Sequence, residues 1–500
     1  MMNVKSLIIS LLFVVPWGFS MILVYNNNYA RPSSDELFEY RTTSSPQTGS
    51  QRWFDVSING KKIGYAMNSF DKTPLGYVFK DYSLLRIPMA GVLREVLMDF
   101  YAVVDHDFSL KSFTFGLTSG DYSTDIFGQV NGIYLEVKVQ SIDDHSSLVL
   151  PASEGIYFPG TVPLLLASKG IPGGKFTLPG FDPFTLTRSH IEVNVGEKQQ
   201  IRVAGKSYEA YQVVVTASGV SSTMWITPDG AVVKEEESAG MSMTLTTKEK
   251  ALDIPDVSLE WDVLGSLAVG VDVEIENPRE LTYLKVELIG IEPTGFNLDD
   301  DFQRVVSITP LVLEVSSKEL LPYERRSPDS DQLDKFTKPE AFIQSNDSRI
   351  VNQAKLVVAN FDDDSLKVVA LTDWVYSNIE KDLSISLPSA IDVLRVRRGD
   401  CNEHTFLFTA MARAISIPAK ICLGIVYKEG LFYYHAWPAV YINGRWLPVD
   451  PTFGQHMADA THIKLLEGGV ESQAGLMRVV GNLSVKVMNC STSKTVAESR

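Results

Sequence analysis

The sequence is poor in cysteine and in positive charge, and each shortage excludes a class of protein. Three cysteines occur in 500 residues, at positions 401, 422 and 490, so at most one disulfide can form and a disulfide framework does not hold the fold together. The 45 basic side chains are outnumbered by 61 acidic ones, which gives a formal net charge of -16. Because phosphate contacts need clustered Lys and Arg, we predict no nucleic-acid partner.

The sequence also lacks the ligand spacing of a metal site. Asp299–Asp301 and Asp362–Asp364 are acidic triplets without the interleaved spacing of a calcium loop, and each is more typical of a solvated helix start. His456 and His462 have no ligand-like spacing either. We therefore predict no metal and no other cofactor.

One long apolar run stands near the amino terminus. Leu7–Tyr25 is uncharged and follows Lys5, and at 1.5 Å per residue it covers nearly the roughly 30 Å hydrocarbon core of a bilayer. We predict an uncleaved transmembrane anchor over residues 1–25. The alternative is a cleaved secretory signal, whose apolar region is usually shorter and ends at a small-residue site. Lys5 favours a cytoplasmic start, so the large body is expected on the periplasmic side of the inner membrane.

The next part of the chain has the pattern of antiparallel β structure. Residues 26–51 are rich in Ser, Thr and Pro and are predicted to form a flexible tether. From there to residue 250, short β-type runs alternate with turn signals such as Asn59-Gly60 and Asp229-Gly230, which accept the positive φ of type I′ turns. We predict an antiparallel β-rich domain over residues 52–250.

The richest motif lies near the carboxyl terminus and begins with a helix. Asp400 is a favoured N-cap residue, and Glu403 completes an Asp-x-x-Glu version of the capping box, which makes Cys401 the first helical residue. We expect the helix dipole to lower the pKa of the Cys401 thiol and activate it as a nucleophile. Gly399 would let a substrate backbone approach closely.

A hairpin predicted after this helix supplies a base and an orienting group. If Asn443-Gly444 forms a two-residue turn, Trp437 lies opposite Asp450 and His435 becomes the diagonal neighbour of Asp450 on the same face. The sequence therefore sets a histidine beside a carboxylate that could fix its tautomer. A bulge at Pro438 would shift this register.

Two residues near the motif have competing interpretations. His404 lies three residues after Cys401 on the same helix face, so it could act as an alternative base or pack and cap locally. Trp437 could wall a substrate cleft or belong to the core of a half-buried strand. We predict Gly399 and Trp437 as candidate substrate-binding residues.

Several motif blocks in order resemble the core of the bacterial transglutaminase-like superfamily. The resemblance covers about residues 340–480. It is carried by Gly399-Asp400-Cys401, Ala412–Lys420, Tyr434-His435-Ala436-Trp437 and Trp446–Thr452. The resemblance implies a papain-like α+β fold with Cys401 as nucleophile, His435 as general base and acid, and Asp450 as the orienting carboxylate. The amino-terminal β region loosely resembles the accessory part of membrane-tethered bacterial members.

The resemblance favours hydrolysis over crosslinking. Animal transglutaminases carry an aromatic residue directly after the cysteine, where this sequence has Asn402, and no match to their calcium-binding segments is found. We therefore predict a thiol protease or amidase, or an acyltransferase, acting on protein or peptide. The alternative is a non-catalytic cell-envelope module that keeps the fold for binding. The sequence leaves the oligomeric state open.

The domain organisation that follows places catalysis at the carboxyl-terminal end of an α+β chain. After the anchor, the tether and the first β-rich domain, a second β-rich segment is predicted over residues 251–335. The catalytic domain is predicted over 340–480, and residues 481–500 are predicted to form a tail.

Overall fold

The computed structural model describes residues 51–492 except 142–144, 153–154, 172, 184, 238–239, 257, 260, 318–332, 384 and 388. The predicted anchor, residues 1–25, and the predicted tether up to residue 50 lie outside this part of the chain. Among the described residues, no helix is both long and apolar enough to cross a bilayer.

A fourteen-stranded antiparallel sheet occupies the first half of the described chain, in the order β8-β7-β6-β5-β4-β3-β2-β1-β14-β13-β12-β11-β10-β9. Its strands are β1 (Arg52–Ile58), β2 (Lys61–Thr73), β3 (Gly76–Met89), β4 (Val92–Val104), β5 (Leu110–Ser119), β6 (Tyr122–Asn131), β7 (Tyr134–Ser141), β8 (His145–Pro151), β9 (Gly174–Asp182), β10 (Thr187–Val203), β11 (Lys206–Ala217), β12 (Val220–Ile226), β13 (Val232–Glu237) and β14 (Met241–Thr246). Short helices accompany them at α1 (Val162–Ser168), α2 (Lys248–Leu252) and α3 (Val263–Leu267).

Local turn chemistry explains how this sheet is built. Asn59 and Gly60 have φ values of 50° and 76°, and they join β1 to β2 with Ile58 paired to Lys61. This is the type I′ turn that the Asn-Gly pair predicts. Along β1 every second side chain, Phe54, Val56 and Ile58, is buried in one core, as a strand with two unlike faces requires.

A five-stranded sheet, in the order β15-β25-β16-β18-β17, joins residues that are far apart in sequence. Its strands are β15 (Gly270–Val271), β16 (Leu281–Ile289), β17 (Gln303–Ile308), β18 (Leu311–Ser316) and β25 (Ser484–Thr492). The predicted tail therefore contains a strand as far as residue 492. It is ordered because β25 pairs with β16, where Val485 faces Leu288 and both side chains are buried.

The predicted catalytic region combines helices with a four-stranded sheet in the order β23-β22-β21-β24. Its elements are α4 (Ser348–Val357), α5 (Asp364–Asn378), β19 (Glu380–Lys381), α6 (Ala390–Val396), β20 (Arg398–Gly399), α7 (Cys401–Ala414), β21 (Ala419–Lys428), β22 (Leu431–Ile442), β23 (Arg445–Pro448), β24 (Ile463–Glu467) and α8 (Val470–Leu476). The α+β class holds for this region, whereas the described chain as a whole is dominated by β strands.

Helix α7 is the central element of this region. Its residues from Glu403 to Arg413 are all buried, because α4, α5 and α6 pack around it and β22 lies against it. The Thr405 hydroxyl donates to the Ala436 carbonyl at 3.0 Å, which fixes α7 on β22. The first helical residue, Cys401, is thereby held beside the middle of β22.

The large β sheet contacts the segment that leads into α7. The Tyr122 hydroxyl donates to the Arg398 carbonyl, three residues before Cys401. The Arg398 guanidinium lies 3.3 Å from an Asp121 carboxylate oxygen, and Arg94 of β4 pairs with Asp382 beside it. The first β region therefore contacts the segment that leads into α7.

Candidate active site

The start of α7 has the capping geometry that the sequence predicts. Asp400 is the N-cap residue, and its Oδ1 accepts the Asn402 backbone N–H at 2.7 Å. The Glu403 Oε2 in turn accepts the Asp400 backbone N–H at 2.7 Å. The capping box is confirmed, and Cys401 is the first residue of the helix and half-buried.

Gly399 makes room for this capping box. A Cβ at position 399 would lie 2.3 Å from the Cβ and the Cγ of Glu403, closer than real side chains approach. Glu403 fills that space because it folds back to bond Asp400, and Ser386 Oγ donates to its other oxygen at 2.5 Å. The capping box therefore explains the glycine, and its contact with a substrate stays a prediction.

The environment of the Cys401 thiol differs from the expectation. Burial raises its pKa well above the ordinary thiol value, and the nearby carboxylates of Asp400, Glu403 and Asp450 raise it further. The Ala436 backbone N–H, which donates to the sulfur, lowers it. The predicted low pKa is wrong, because desolvation and three acidic neighbours outweigh the helix start. The thiol consequently needs a base to react.

The hairpin that carries the candidate base has the predicted register. Asn443 and Gly444 have φ values of 52° and 76°, and Ile442 pairs with Arg445 as a two-residue turn requires. The pairing continues as far as Pro438, whose carbonyl accepts the Val449 N–H at 2.9 Å. The proline therefore causes no shift, since its carbonyl rather than an N–H makes the bond to this neighbour.

This register brings His435 and Asp450 together. The Nε2 of His435 lies 2.8 Å from Asp450 Oδ2, and both side chains are buried. The imidazole stacks between Trp437, with 5.9 Å between ring centres, and Phe453, with 5.2 Å. Hydrogen bonding and stacking thus fix the position of the ring.

Asp450 is ionised despite its complete burial. Its Oδ1 accepts the backbone N–H groups of Thr452 at 2.7 Å and Phe453 at 3.1 Å. Burial alone would raise its pKa, but His435 and His462 more than offset this and hold it well below the ordinary value. A buried, ionised carboxylate is therefore held between the two imidazoles.

His462 is a component that sequence reasoning missed. Its Nε2 lies 3.0 Å from Asp450 Oδ2, and its Nδ1 lies 3.1 Å from the Asp459 carbonyl oxygen. Burial lowers the pKa of His462, but the carboxylates of Asp459 and Asp450 outweigh this and raise the pKa to about 9. Spacing gave no signal, because the contact arises from the turn after Asp450, which pairs with Gln455.

Trp437 lies in the core. Its side chain is 2% exposed and packs in a cluster with Cys422, Ala439 and Ala458. This burial fits the core interpretation, and the role of Trp437 in binding a substrate stays a prediction. Its ring also stacks on His435. Cys422 is the buried hydrophobe that its strand position predicts.

His404 is bonded locally. Its Nδ1 lies 2.7 Å from the Asp400 carbonyl oxygen, and the side chain is fully buried. Burial lowers its pKa, so the ring is neutral, with the proton on Nδ1 donated to that carbonyl. This geometry fits the capping interpretation of His404.

One group among the described residues has donor atoms close enough to surround a metal ion. These atoms belong to His435, Asp450 and His462 and lie within 4.8 Å of one another. Both imidazole N–H groups are already donated to Asp450, so hydrogen bonding accounts for the arrangement. The Asp363 carboxylate, in one predicted helix-start triplet, caps α5 at 3.1 Å. The absence of a metal stays a prediction.

Comparison with known families agrees with the geometry of this region. Residues 351–451 match the family model described as the transglutaminase-like superfamily. The range contains Cys401, His435 and Asp450. The chain therefore contains a transglutaminase-like domain, built on α7 and the β22–β23 hairpin.

Individual relatives cover small parts of the chain or resemble it weakly. Kyphoscoliosis peptidase of Mus musculus is 30% identical over 114 residues, which are 20% of this chain and 17% of that protein. A proposed cysteine protease from Cytophaga hutchinsonii is 19% identical, with a TM-score of 0.28 over 43% of this chain and 88% of its own. A β-barrel-like DUF1849 protein from Brucella abortus is 16% identical, with a TM-score of 0.34 over 42% of this chain and 98% of its own.

The His462 pKa predicts how stability depends on pH. A histidine whose pKa rises on folding stabilises the protein fully below its unfolded value of about 6.5, and this contribution is lost as pH rises to about 9. We expect the difference in unfolding free energy between the wild type and His462→Gln to fall by about 3 kcal/mol between about pH 6 and about pH 10.

Urea unfolding at a series of pH values measures this difference. His456→Gln is the matched control, because His456 also bonds a carboxylate, that of Asp373 at 2.6 Å, but its side chain is 45% exposed. The control should show little change with pH. A constant difference between wild type and His462→Gln would contradict the buried imidazolium.

Proposed function

We propose that the protein is a thiol-dependent hydrolase or acyltransferase in which Cys401 is the nucleophile, His435 the general base and acid, and Asp450 the orienting carboxylate. The observation that carries the proposal is the bond between His435 and Asp450, together with the position of the thiol. The Cys401 sulfur accepts the N–H of Ala436, the residue next to His435. Cys401 at the start of α7, His435 on β22 and Asp450 after β23 supply the thiol, imidazole and carboxylate that this proposal uses.

The first half-reaction forms a thioester. With its Nε2 proton donated to Asp450, His435 has an unprotonated Nδ1 that can accept the thiol proton as the sulfur attacks a substrate carbonyl. The carbonyl oxygen takes up negative charge, and the Cys401 backbone N–H, unpaired at the helix start, can donate to it. The carbon–nitrogen bond then breaks, and His435 returns the proton to the leaving amine.

The second half-reaction releases the acyl group. Water donates a proton to His435 and attacks the thioester, and the sulfur leaves as thiolate, which recovers the proton from His435. An amine in place of water would give transamidation by the same steps. The raised pKa of Cys401 favours this base-assisted path over a resting thiolate.

We propose protein or peptide as substrate, with hydrolysis favoured over crosslinking. The relative at 30% identity is named a peptidase. At the position after the nucleophile, the Asn402 Oδ1 accepts from Gln473 Nε2 at 2.9 Å, where animal transglutaminases have an aromatic side chain. A polar amide pair thus occupies the place next to the thiol.

A second candidate function is a non-catalytic binding module. The observation in its favour is that no hydrogen bond joins the Cys401 sulfur to the His435 ring in the part of the chain that the structure describes, and the thiol pKa is raised. A domain that only binds peptide needs no reactive thiol. Thiol reactivity therefore separates the two candidates.

We also propose that residues 1–25 anchor the chain in the inner membrane and that the catalytic domain works on the periplasmic side. The support is the sequence of Leu7–Tyr25 and the preceding Lys5. The full-length protein should stay in the membrane fraction through an alkaline carbonate wash. Release into the wash would contradict an integral anchor.

The proposed function predicts that iodoacetamide labels Cys401 faster than the other two thiols near pH 7. Cys422 is buried, and burial raises its pKa to about 12, so it should react slowly. Cys490 is exposed but lies on β25, far in sequence from the candidate base. Peptide mass spectrometry of the folded protein gives the three rates. Labelling of Cys490 ahead of Cys401 would favour the binding module.

Substitutions near the thiol test the roles of its neighbours. His435→Ala should reduce Cys401 labelling by on the order of 10² to 10⁴, as expected when a general base is removed. Asp450→Asn should give an intermediate loss, because the amide can accept a ring hydrogen bond but cannot stabilise the imidazolium.

His404→Ala is the matched control in that series, since it removes a second buried imidazole on the nucleophile helix. Most reactivity should survive in it, provided circular dichroism shows each variant folded. If Cys401 were unreactive in His404→Ala but reactive in His435→Ala, the base would be His404 and not His435.

A further inference from the structure

Two imidazoles donate to the same oxygen of the orienting carboxylate. Asp450 Oδ2 lies 2.8 Å from the Nε2 of His435 and 3.0 Å from the Nε2 of His462. Asp450 is completely buried, so water does not compete for this oxygen. A carboxylate oxygen has two lone pairs, and both are used here. The base and His462 are therefore coupled through one atom.

The hydrogen bonds of His462 require two ring protons. Its Nε2 must carry a proton to donate to Asp450. Its Nδ1 faces only acceptors, the Asp459 carbonyl oxygen at 3.1 Å and Asp459 Oδ1 at 3.5 Å, so it too must carry a proton. Arg279 holds the other Asp459 oxygen at 2.8 Å. Hydrogen-bond counting thus identifies His462 as an imidazolium.

The same counting fixes the tautomer of His435. Because its Nε2 donates to Asp450, a neutral His435 has its lone pair on Nδ1. The centre of the His462 ring is 5.7 Å from the centre of the His435 ring. The positive charge of His462 stabilises ionised Asp450, so Asp450 continues to accept from His435 Nε2 and the Nδ1 of His435 is left to take the thiol proton.

Other charged groups near His462 balance one another. His462 and Asp459 line a small cavity. The other titratable side chains that line this cavity are Asp300, Lys420, Cys422 and Lys464. Lys464 lies 2.9 Å from Asp300 and 2.6 Å from Glu467, and Lys420 lies 2.7 Å from Glu467. Two cations and two anions cancel, and the burial of Cys422 keeps its thiol neutral. The charge of His462 therefore acts mainly on Asp450 and His435.

We propose that His462 is a positioning residue for the reaction of Cys401, acting near neutral pH as an imidazolium that keeps Asp450 ionised and His435 in the tautomer with an unprotonated Nδ1. The inference rests on the proposed function, since it assigns a role in the same reaction. It adds a second histidine to the nucleophile, base and carboxylate. The imidazolium of His462 lies in a row of ion-paired groups of alternating charge, which are Arg279, Asp459, His462 and Asp450.

The test compares Cys401 alkylation rates in the full-length wild type, His462→Gln and His462→Leu across pH. The glutamine amide can still donate to Asp450 but is uncharged, whereas leucine does neither. Near pH 7 we expect His462→Gln to react about tenfold more slowly and His462→Leu still more slowly, as is typical when an orienting partner is removed.

The pH dependence separates positioning from a packing defect. The ratio of the wild-type rate to the His462→Gln rate should fall towards one by about pH 10, because wild-type His462 has lost its proton there too. A packing defect would give a ratio that does not change with pH. His456→Gln, the exposed control, should match wild type throughout.

The outcomes distinguish the inference from the proposed function. A reactive wild-type Cys401 with unchanged rates in both position-462 variants, or a pH-independent ratio, overturns the inference alone. A wild-type Cys401 no faster than Cys422 and Cys490 overturns the proposed function and the inference with it. If the variants fail to fold, nitrogen NMR of labelled wild-type histidines at about pH 8 decides: an imidazolium signal supports the inference, and its absence overturns it.

Discussion

The buried carboxylate of Asp450 is the group on which the rest of the site depends. An isolated buried carboxylate is very unfavourable, so it persists only when several donors surround it. Here the donors are two imidazoles and two backbone N–H groups, those of Thr452 and Phe453. They come from β22, from the turn after β23 and from the residue before β24. Removing the side chain would leave two buried imidazoles without their common partner.

The thiol is placed by a different set of forces. Helix α7 begins at Cys401 because Asp400 and Glu403 satisfy the backbone N–H groups at its start. The same carboxylates raise the thiol pKa, so the interactions that place the sulfur also oppose its ionisation. The proposed role of Cys401 as nucleophile therefore requires a base to take the thiol proton.

The parts of this site that depend on residues close together in the chain could be predicted from the sequence. The Asn443-Gly444 turn sets the hairpin register within a few residues, and the capping box involves only Asp400 and Glu403, so both were predicted correctly. Features that depend on distant residues were not. His462 reaches Asp450 only after the chain turns, and the burial that raises the Cys401 pKa comes from packing against β22.

The structure of the polar carboxyl-terminal residues likewise depends on long-range pairing. β25 pairs with a strand almost two hundred positions earlier, with Leu288 opposite Val485. The alternation of apolar and polar residues along β25 is too weak to predict this strand. The contacts of Tyr122 and Arg94 with the segment before α7 are of the same kind. They give the large β sheet a structural connection to the start of α7.

The central claim is that Cys401 transfers acyl groups with His435 as its base. The most direct measurement is mixing the full-length protein with p-nitrophenyl acetate, recording nitrophenolate release and locating the acetyl group by peptide mass spectrometry. The account predicts a burst equal to the protein concentration, with the acetyl group on Cys401, and no burst in His435→Ala. A wild-type protein without a burst, or one acetylated at Cys490 in place of Cys401, would contradict it.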